Sequence, residues 1–359
     1  MSGSAPGTSM RSYQLTGYRE PLERRDDPRP EPAGDEVLLA VEACGVCHSD
    51  LHLADGYFDL GDGRRLDLTG GRDLPFTLGH EIAGVVVARG PGAAGVAVGE
   101  RRVVYPWIGC GGCPTCDRGD EHLCAAPRAL GVTRAGGFAD HVLVPHARYL
   151  FDAGTVAVAR AATCACSGLT AYGALRKVAA RRAPSPHLLL VGLGGVGLAA
   201  LGLAPSVVTG AVIAADVDAA KREEAAARGA AWTVDAAAAD AAKQVRRRTG
   251  GGASAAIDFV GSPESAAFAL GALAPGGTLV VVGLFGGALK LSLPLLPLKQ
   301  LTIRGSYVGS LAEMAELMAL ARAGAVPALP IDERPLVGAQ AALDDLRAGA
   351  VLGRAVLRP

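Results

Sequence analysis

The sequence predicts an α/β protein in two parts: a β-rich part that carries metal ligands, and a part built on a doubly wound parallel sheet. Three observations carry this. From residue 188 onward, apolar runs alternate with helical segments, the pattern of right-handed βαβ crossovers. A glycine-rich turn follows the first of those runs. All 8 cysteines lie between Cys44 and Cys166. The 359 residues, 50% of them hydrophobic, suffice for two or three domains with large cores. The 35 basic residues balance 35 acidic ones and aromatics reach only 4%, which argues against a surface for nucleic acid or acidic membranes.

Taken in order, residues 1–34 are polar and proline-rich, and the first dozen are expected to be disordered. Val37–Val41, Ile82–Val87, Arg102–Tyr105 and Phe138–Val144 read as short strands between glycine and aspartate turns, with no long amphipathic helix among them. A helical tract begins near Cys166 and runs through Leu175. Strands follow at Leu188–Val191, Ala211–Ala215, Ala255–Phe259 and Thr278–Val282, with helices at Ala219–Ala227, Ala236–Arg248 and Ser262–Leu273 between them. Ser310–Ala323 reads as an amphipathic helix and Gly349–Leu357 as a last strand. Residues 187–215 lack Asp, Glu, Lys and Arg and are long enough to span a membrane, but their glycines and Pro205 break them into strand, turn, helix and strand. Pro205 should end or kink that helix early.

Leu188–Val191 runs directly into Gly192-Leu193-Gly194-Gly195-Val196-Gly197. Gly192 permits a tight turn, Gly194 lets the backbone approach a pyrophosphate, and Gly197 lets a helix pack on the sheet with its first amides free for phosphate. Asp216 follows at the end of the next strand, where a carboxylate accepts from both ribose hydroxyls and repels a 2′-phosphate. That favours NAD over NADP.

The N-terminal residues hold no apolar stretch of a secretory signal, so the expectation is a cytoplasmic chain without structural disulfides. Clustered cysteines then point to metal. Cys110, Cys113, Cys116 and Cys124, spaced C-x2-C-x2-C-x7-C, can close a tetrahedral structural zinc site, an iron–sulfur cluster being the rival. Three further segments, Cys44–His52, Gly79–Gly84 and Cys164–Thr170, together supply two thiolates and an imidazole with a carboxylate nearby. Three ligands and one exchangeable position are the pattern of catalytic zinc.

These segments, in this order, resemble the zinc-dependent alcohol dehydrogenases of the medium-chain dehydrogenase/reductase superfamily, over about residues 35–359. The resemblance implies a GroES-like β-rich catalytic domain (1–163 and 309–359) and a Rossmann NAD-binding domain (164–308). It implies two zinc ions per chain, with Cys47, His80 and Cys166 holding the catalytic one. Glu81 is similar to a carboxylate that approaches this metal, and Asp50 to one that orients the ligand histidine. For the coenzyme it implies His48 and Arg354 at the pyrophosphate, Thr170 at the nicotinamide, Gly192, Gly194, Gly195, Val196 and Gly197 in the turn, and Asp216 with Lys221 at the ribose. The implied reaction oxidises a primary or secondary alcohol by hydride transfer to NAD, its proton leaving through Ser49 and the ribose to His52. A local turn role for Ser49 and a surface role for His52 are the plainer alternatives.

Cys44 and Cys164 depart from the family pattern and read as small apolar packing residues. Residues 57–75 look long and are expected to rim the substrate entrance, with Tyr57, Phe58 and Trp107 as pocket walls or ordinary core. The rivals are a polyol or sugar dehydrogenase of the same superfamily and a zinc-ribbon binding module with a vestigial nucleotide fold. The expected partners are a small alcohol and its aldehyde or ketone, and further copies of the chain, a tetramer in preference to a dimer.

Overall fold

The computed structural model describes residues 9–179, 187–326 and 328–359. Part of the segment expected to be disordered, residues 1–8, lies outside these. The rest does not follow that expectation. Ser9–Leu15 is a strand, paired antiparallel with Glu23–Pro28 and Phe76–Thr77. Tyr13 and Leu15 are buried in the core, which offsets the entropy of ordering so polar a segment.

The β-rich part is organised around Val37–Gly45. This strand pairs with Glu81–Arg89 on one side and with His141–Val144 and Arg354–Arg358 on the other. Arg101–Val104 and Leu150–Asp152 extend the sheet beyond Glu81–Arg89, and Ile331–Pro335 extends it beyond Arg354–Arg358. The C-terminal strands therefore complete a sheet begun near the N-terminus. The last strand starts at Arg354 and not near Gly349, because Gly349 and Gly353 both take positive φ and turn the chain first.

The second part is a six-stranded parallel sheet. Its order is Trp232–Asp235, Ala211–Asp216, His187–Val191, Ala253–Asp258, Leu273–Val281, Thr302–Gly305. The order reverses between His187–Val191 and Ala253–Asp258, the switch point at which doubly wound sheets bind ligands. The apolar residues 187–215 are divided as expected into strand, helix (Gly195–Val207) and strand. That helix continues two residues past Pro205, since a proline in the last turn deletes only one intrahelical bond. No helix among the described residues is long and apolar enough to cross a membrane.

The expected tract from Cys166 to Leu175 is longer and interrupted. Helices Val158–Thr163 and Leu169–Ala179 flank a π-helical turn, Cys164–Gly168. Ala236–Arg248 shortens to a helix at Ala241–Arg248. Residues 57–67 form a hairpin, Tyr57–Gly61 against Arg64–Asp67.

A Cβ at Gly197 would overlap the carbonyl oxygen of Gly192, so the first turn of helix Gly195–Val207 sits against the backbone that precedes it. Gly197→Ala should therefore destabilise the protein by about 1–3 kcal/mol. Urea denaturation checks this, and an unchanged midpoint and slope would contradict the close approach.

Candidate active site

The helix His48–Asp55 starts at Cys47, and Asp50 organises its entrance. Asp50 is fully buried. Its Oδ2 accepts from the Cys47 amide at 2.8 Å and its Oδ1 from the Gly79 amide at 3.2 Å. The same Oδ1 lies 3.2 Å from His80 Nδ1. One carboxylate thus ties the two ligand segments together and turns the imidazole so that Nε2 faces away from it. Both ring nitrogens are buried without a hydrogen-bond partner, Nδ1 against the Asp50 carboxylate and Nε2 on the other side of the ring. Such an atom is costly unless it is a ligand.

Cys166 comes from the π-helical turn, its sulfur beside that of Cys47. The sulfurs of Cys47 and Cys166 stand 4.0 Å apart, and with a His80 nitrogen the three donor atoms lie within 4.8 Å of one another. The hydrogen bond from Cys166 holds the Cys47 thiol well below its usual range, and the same bond with burial pushes Cys166 well above it. Two buried sulfurs sharing one proton, beside an orphaned imidazole nitrogen, fit a divalent cation as the group that lets all three act as donors.

The four-cysteine loop gathers its sulfurs in the same way. Cys113 and Cys116 are 3.5 Å apart, while Cys110–Cys116 and Cys113–Cys124 are each 3.9 Å. A tetrahedral ion with bonds of about 2.3 Å needs sulfurs about 3.8 Å apart, so the loop fits a single ion and leaves no room for a cluster. Backbone amides of Cys110 and Ala126 donate to Cys124 Sγ at 3.3 and 3.4 Å. Backbone and cysteine hydrogen bonds lower Cys113 to about 6, and Cys124 is lowered by the amides of Cys110 and Ala126. Burial pushes Cys116 the other way, up to about 11, as expected of clustered sulfurs that share protons until a cation replaces them.

Glu81 and Arg354 form a fully buried, bidentate ion pair, with Arg354 Nε donating at 3.0 Å. Glu81 also accepts from the Ser167 amide in the π turn at 3.0 Å. Burial pushes the Glu81 carboxyl up and the guanidinium pulls it back. Arg354 packs beside Gly195, where an added Cβ would meet its Cδ at 3.2 Å. Arg354 therefore joins the metal ligands to the glycine turn.

In that turn Gly192 takes φ 88° and a Cβ on Gly194 would meet only open space, so a ligand can approach. Asp216 accepts from the Leu193 amide at 2.7 Å and from the Asp218 amide at 2.9 Å. Its carboxylate is thus part of the turn it faces. His48 is exposed at the first position of the helix. Thr170 is buried in the first turn of Leu169–Ala179.

A largely apolar cleft of about 590 Å³ runs between the two parts, lined by Ser49, Phe58, Trp107, Leu284 and Tyr307 among others. It reaches the ligand triad: Ser49 Oγ lies 3.8 Å from Cys47 Sγ, and the Trp107 ring is centred 5.2 Å from that of His80. Of the three expected wall residues, Phe58 and Trp107 line it. Tyr57 does not, being held instead under the Arg65 guanidinium, 4.0 Å from its ring centre. Tyr307, which packs edge-on to Trp107 at 5.6 Å, is a wall residue that the sequence reading missed. Its signal was the scarcity of aromatics, with only 7 tyrosines in the chain. The hairpin crosses the cleft, where the Gly287 amide donates to the Asp59 carbonyl at 3.3 Å. Cys44 and Cys164 are buried outside both sulfur clusters.

Residues 33–154 match the family described as alcohol dehydrogenase GroES-like domain, and residues 195–323 match zinc-binding dehydrogenase. An NAD-dependent alcohol dehydrogenase of Sulfurisphaera tokodaii is 39% identical over 98% of this chain and 100% of its own. The crystal structure of an alcohol dehydrogenase from Aeropyrum pernix, 32% identical, superposes with a TM-score of 0.88 over 97% of this chain and 100% of its own. That of the D-arabinose dehydrogenase from Sulfolobus solfataricus, 27% identical, does so with 0.84 over 98% and 99%. The chain belongs to the zinc-type alcohol dehydrogenases of the medium-chain dehydrogenase/reductase superfamily.

Proposed function

We propose that the protein is an NAD-dependent, zinc-containing dehydrogenase that interconverts primary or secondary alcohols with aldehydes or ketones. The buried Cys47–His80–Cys166 triad, open to an apolar interdomain cleft beside a dinucleotide turn, carries this reading. When bound, zinc supplies a Lewis acid that acidifies the alcohol and the nicotinamide of NAD accepts hydride. The chain's own groups do the rest. Asp50 orients His80, and the walls of Phe58, Trp107 and Tyr307 exclude water. Gly192, Gly194, Gly195, Val196 and Gly197 seat the pyrophosphate with His48 and Arg354, Asp216 and Lys221 take the adenosine ribose, and Thr170 borders the nicotinamide. Ser49 would take the alcohol proton, and His52, reached through the coenzyme ribose, would pass it to solvent. The apolar cleft supports a monoalcohol over the polyol a sugar dehydrogenase would take.

On this reading the coenzyme domain is 164–308 and the catalytic domain 1–163 with 309–359. The chain works in the cytoplasm, where eight cysteines without a disulfide persist. It assembles as a homo-oligomer, a tetramer before a dimer. The edge strand Thr302–Gly305 and the exposed Leu293, Leu295 and Leu298 support a self-association surface.

Metal analysis should find close to two zinc per chain, and Cys116→Ser should lower this to about one, because the two clusters are separate; one zinc in the unaltered protein would remove a site. His80→Ala should cut alcohol oxidation by at least about 100-fold, read as NADH absorbance over a panel of primary, secondary and aromatic alcohols. Activity retained across the panel would refute the triad. Burial lowers the His52 imidazole below its ordinary value, so it stays neutral and able to accept a proton into mildly acid solution. His52→Gln should therefore slow oxidation mainly below about pH 8, where hydroxide is scarce. An unchanged pH profile would remove His52 from the relay.

A further inference from the structure

His52 lies in the last turn of helix His48–Asp55, and Asp55 follows three residues later on the same face. The helix carboxyl end and this carboxylate both favour a cation at His52. Left alone, they would hold a proton there. The Asp55 carboxylate, however, is not free. Arg347, at the end of helix Ala339–Arg347, donates to both of its oxygens, Nη1 to Oδ2 at 2.9 Å and Nη2 to Oδ1 at 2.8 Å. The pair is 292 residues apart in sequence and is held by the packing of one helix on the other. Together with Arg19, Glu20 and Asp344 it lines a cavity of about 460 Å³ on the side of helix His48–Asp55 facing Ala339–Arg347.

We infer that Arg347 is a positioning residue for proton release: it occupies the Asp55 carboxylate and places a cation near His52, so that the imidazole gives up its proton instead of storing it in an ion pair. This rests on the reading of His52 as the end of the relay. The charged and titratable groups on the elements packed against this helix are consistent with it, although the cavity is lined by Asp55 and not by His52 itself. On its own helix are Cys47 at the start, His48, Asp55 and Asp50, the last directed at His80, and Arg347 and Asp344 come from the facing helix. Arg19 and Glu20 lie in the loop across the cavity, and Tyr57 is in the hairpin whose Phe58 ring lies 4.7 Å from the imidazole. Asp55 and Cys47 favour the charged imidazole, while burial and Arg347 oppose it.

The test uses the zinc-loaded protein with isotope-labelled histidine, the His52 signal being assigned by its loss in His52→Gln. Arg347→Gln should move the His52 titration midpoint to higher pH, and Asp55→Asn should move it to lower pH. Arg347→Lys should return it toward the original. Alcohol oxidation by Arg347→Gln should fall severalfold at pH 6 and match the unaltered enzyme at pH 9. A His52 midpoint that is the same in Arg347→Gln, Asp55→Asn and the unaltered protein overturns the inference. A midpoint that moves while the pH–rate profile does not follow overturns the relay role of His52 instead.

Discussion

Much of the site depends on the buried pairing of Glu81 with Arg354. Removing two charges from water costs several kcal/mol per ion, and only good geometry with further hydrogen bonds offsets it. Here the guanidinium is bidentate and the Ser167 amide fills another carboxylate position. Four segments distant in sequence meet as a result. Glu81 follows His80 and Ser167 follows Cys166, two members of the cluster that could hold a metal ion, Arg354 opens the last strand of the β-rich sheet, and Gly195 belongs to the glycine turn. A pair this demanding of geometry forces the last strand, the π turn and the ligand loop into one register.

Asp50 makes a similar join at smaller scale. Buried and shared among the Cys47 amide, the Gly79 amide and the His80 ring, it turns two loops into one preorganised ligand set. The four-cysteine loop is different in kind. It is polar, part-exposed and poor in core residues, so its shape rests on sulfur ligation and on amides directed at the sulfurs.

The cleft is built from both parts of the chain. The β-rich part brings Ser49, Phe58 and Trp107, the parallel-sheet part brings Leu284, and Tyr307 follows its last strand. The hairpin bonded to Gly287 spans the two. A change at the hairpin therefore alters both the pocket wall and the seating of one part on the other.

The sequence alone determined whatever depends on local spacing. The C-x2-C-x2-C-x7-C loop, the glycine turn after a buried strand with Asp216 beyond it, and the alternation of strands and helices were legible because each is written in consecutive residues. Tertiary structure decided what depends on long-range placement. It ordered Ser9–Leu15, whose polar surroundings hide the burial of Tyr13 and Leu15. It introduced the π turn that carries Cys166, which no propensity encodes. It committed Arg354 to Glu81, moved Tyr57 out of the cleft and Tyr307 into it, and paired Arg347 with Asp55. In each case the deciding contact joins groups far apart in the chain, and such contacts exist only once the sheets have brought those groups together.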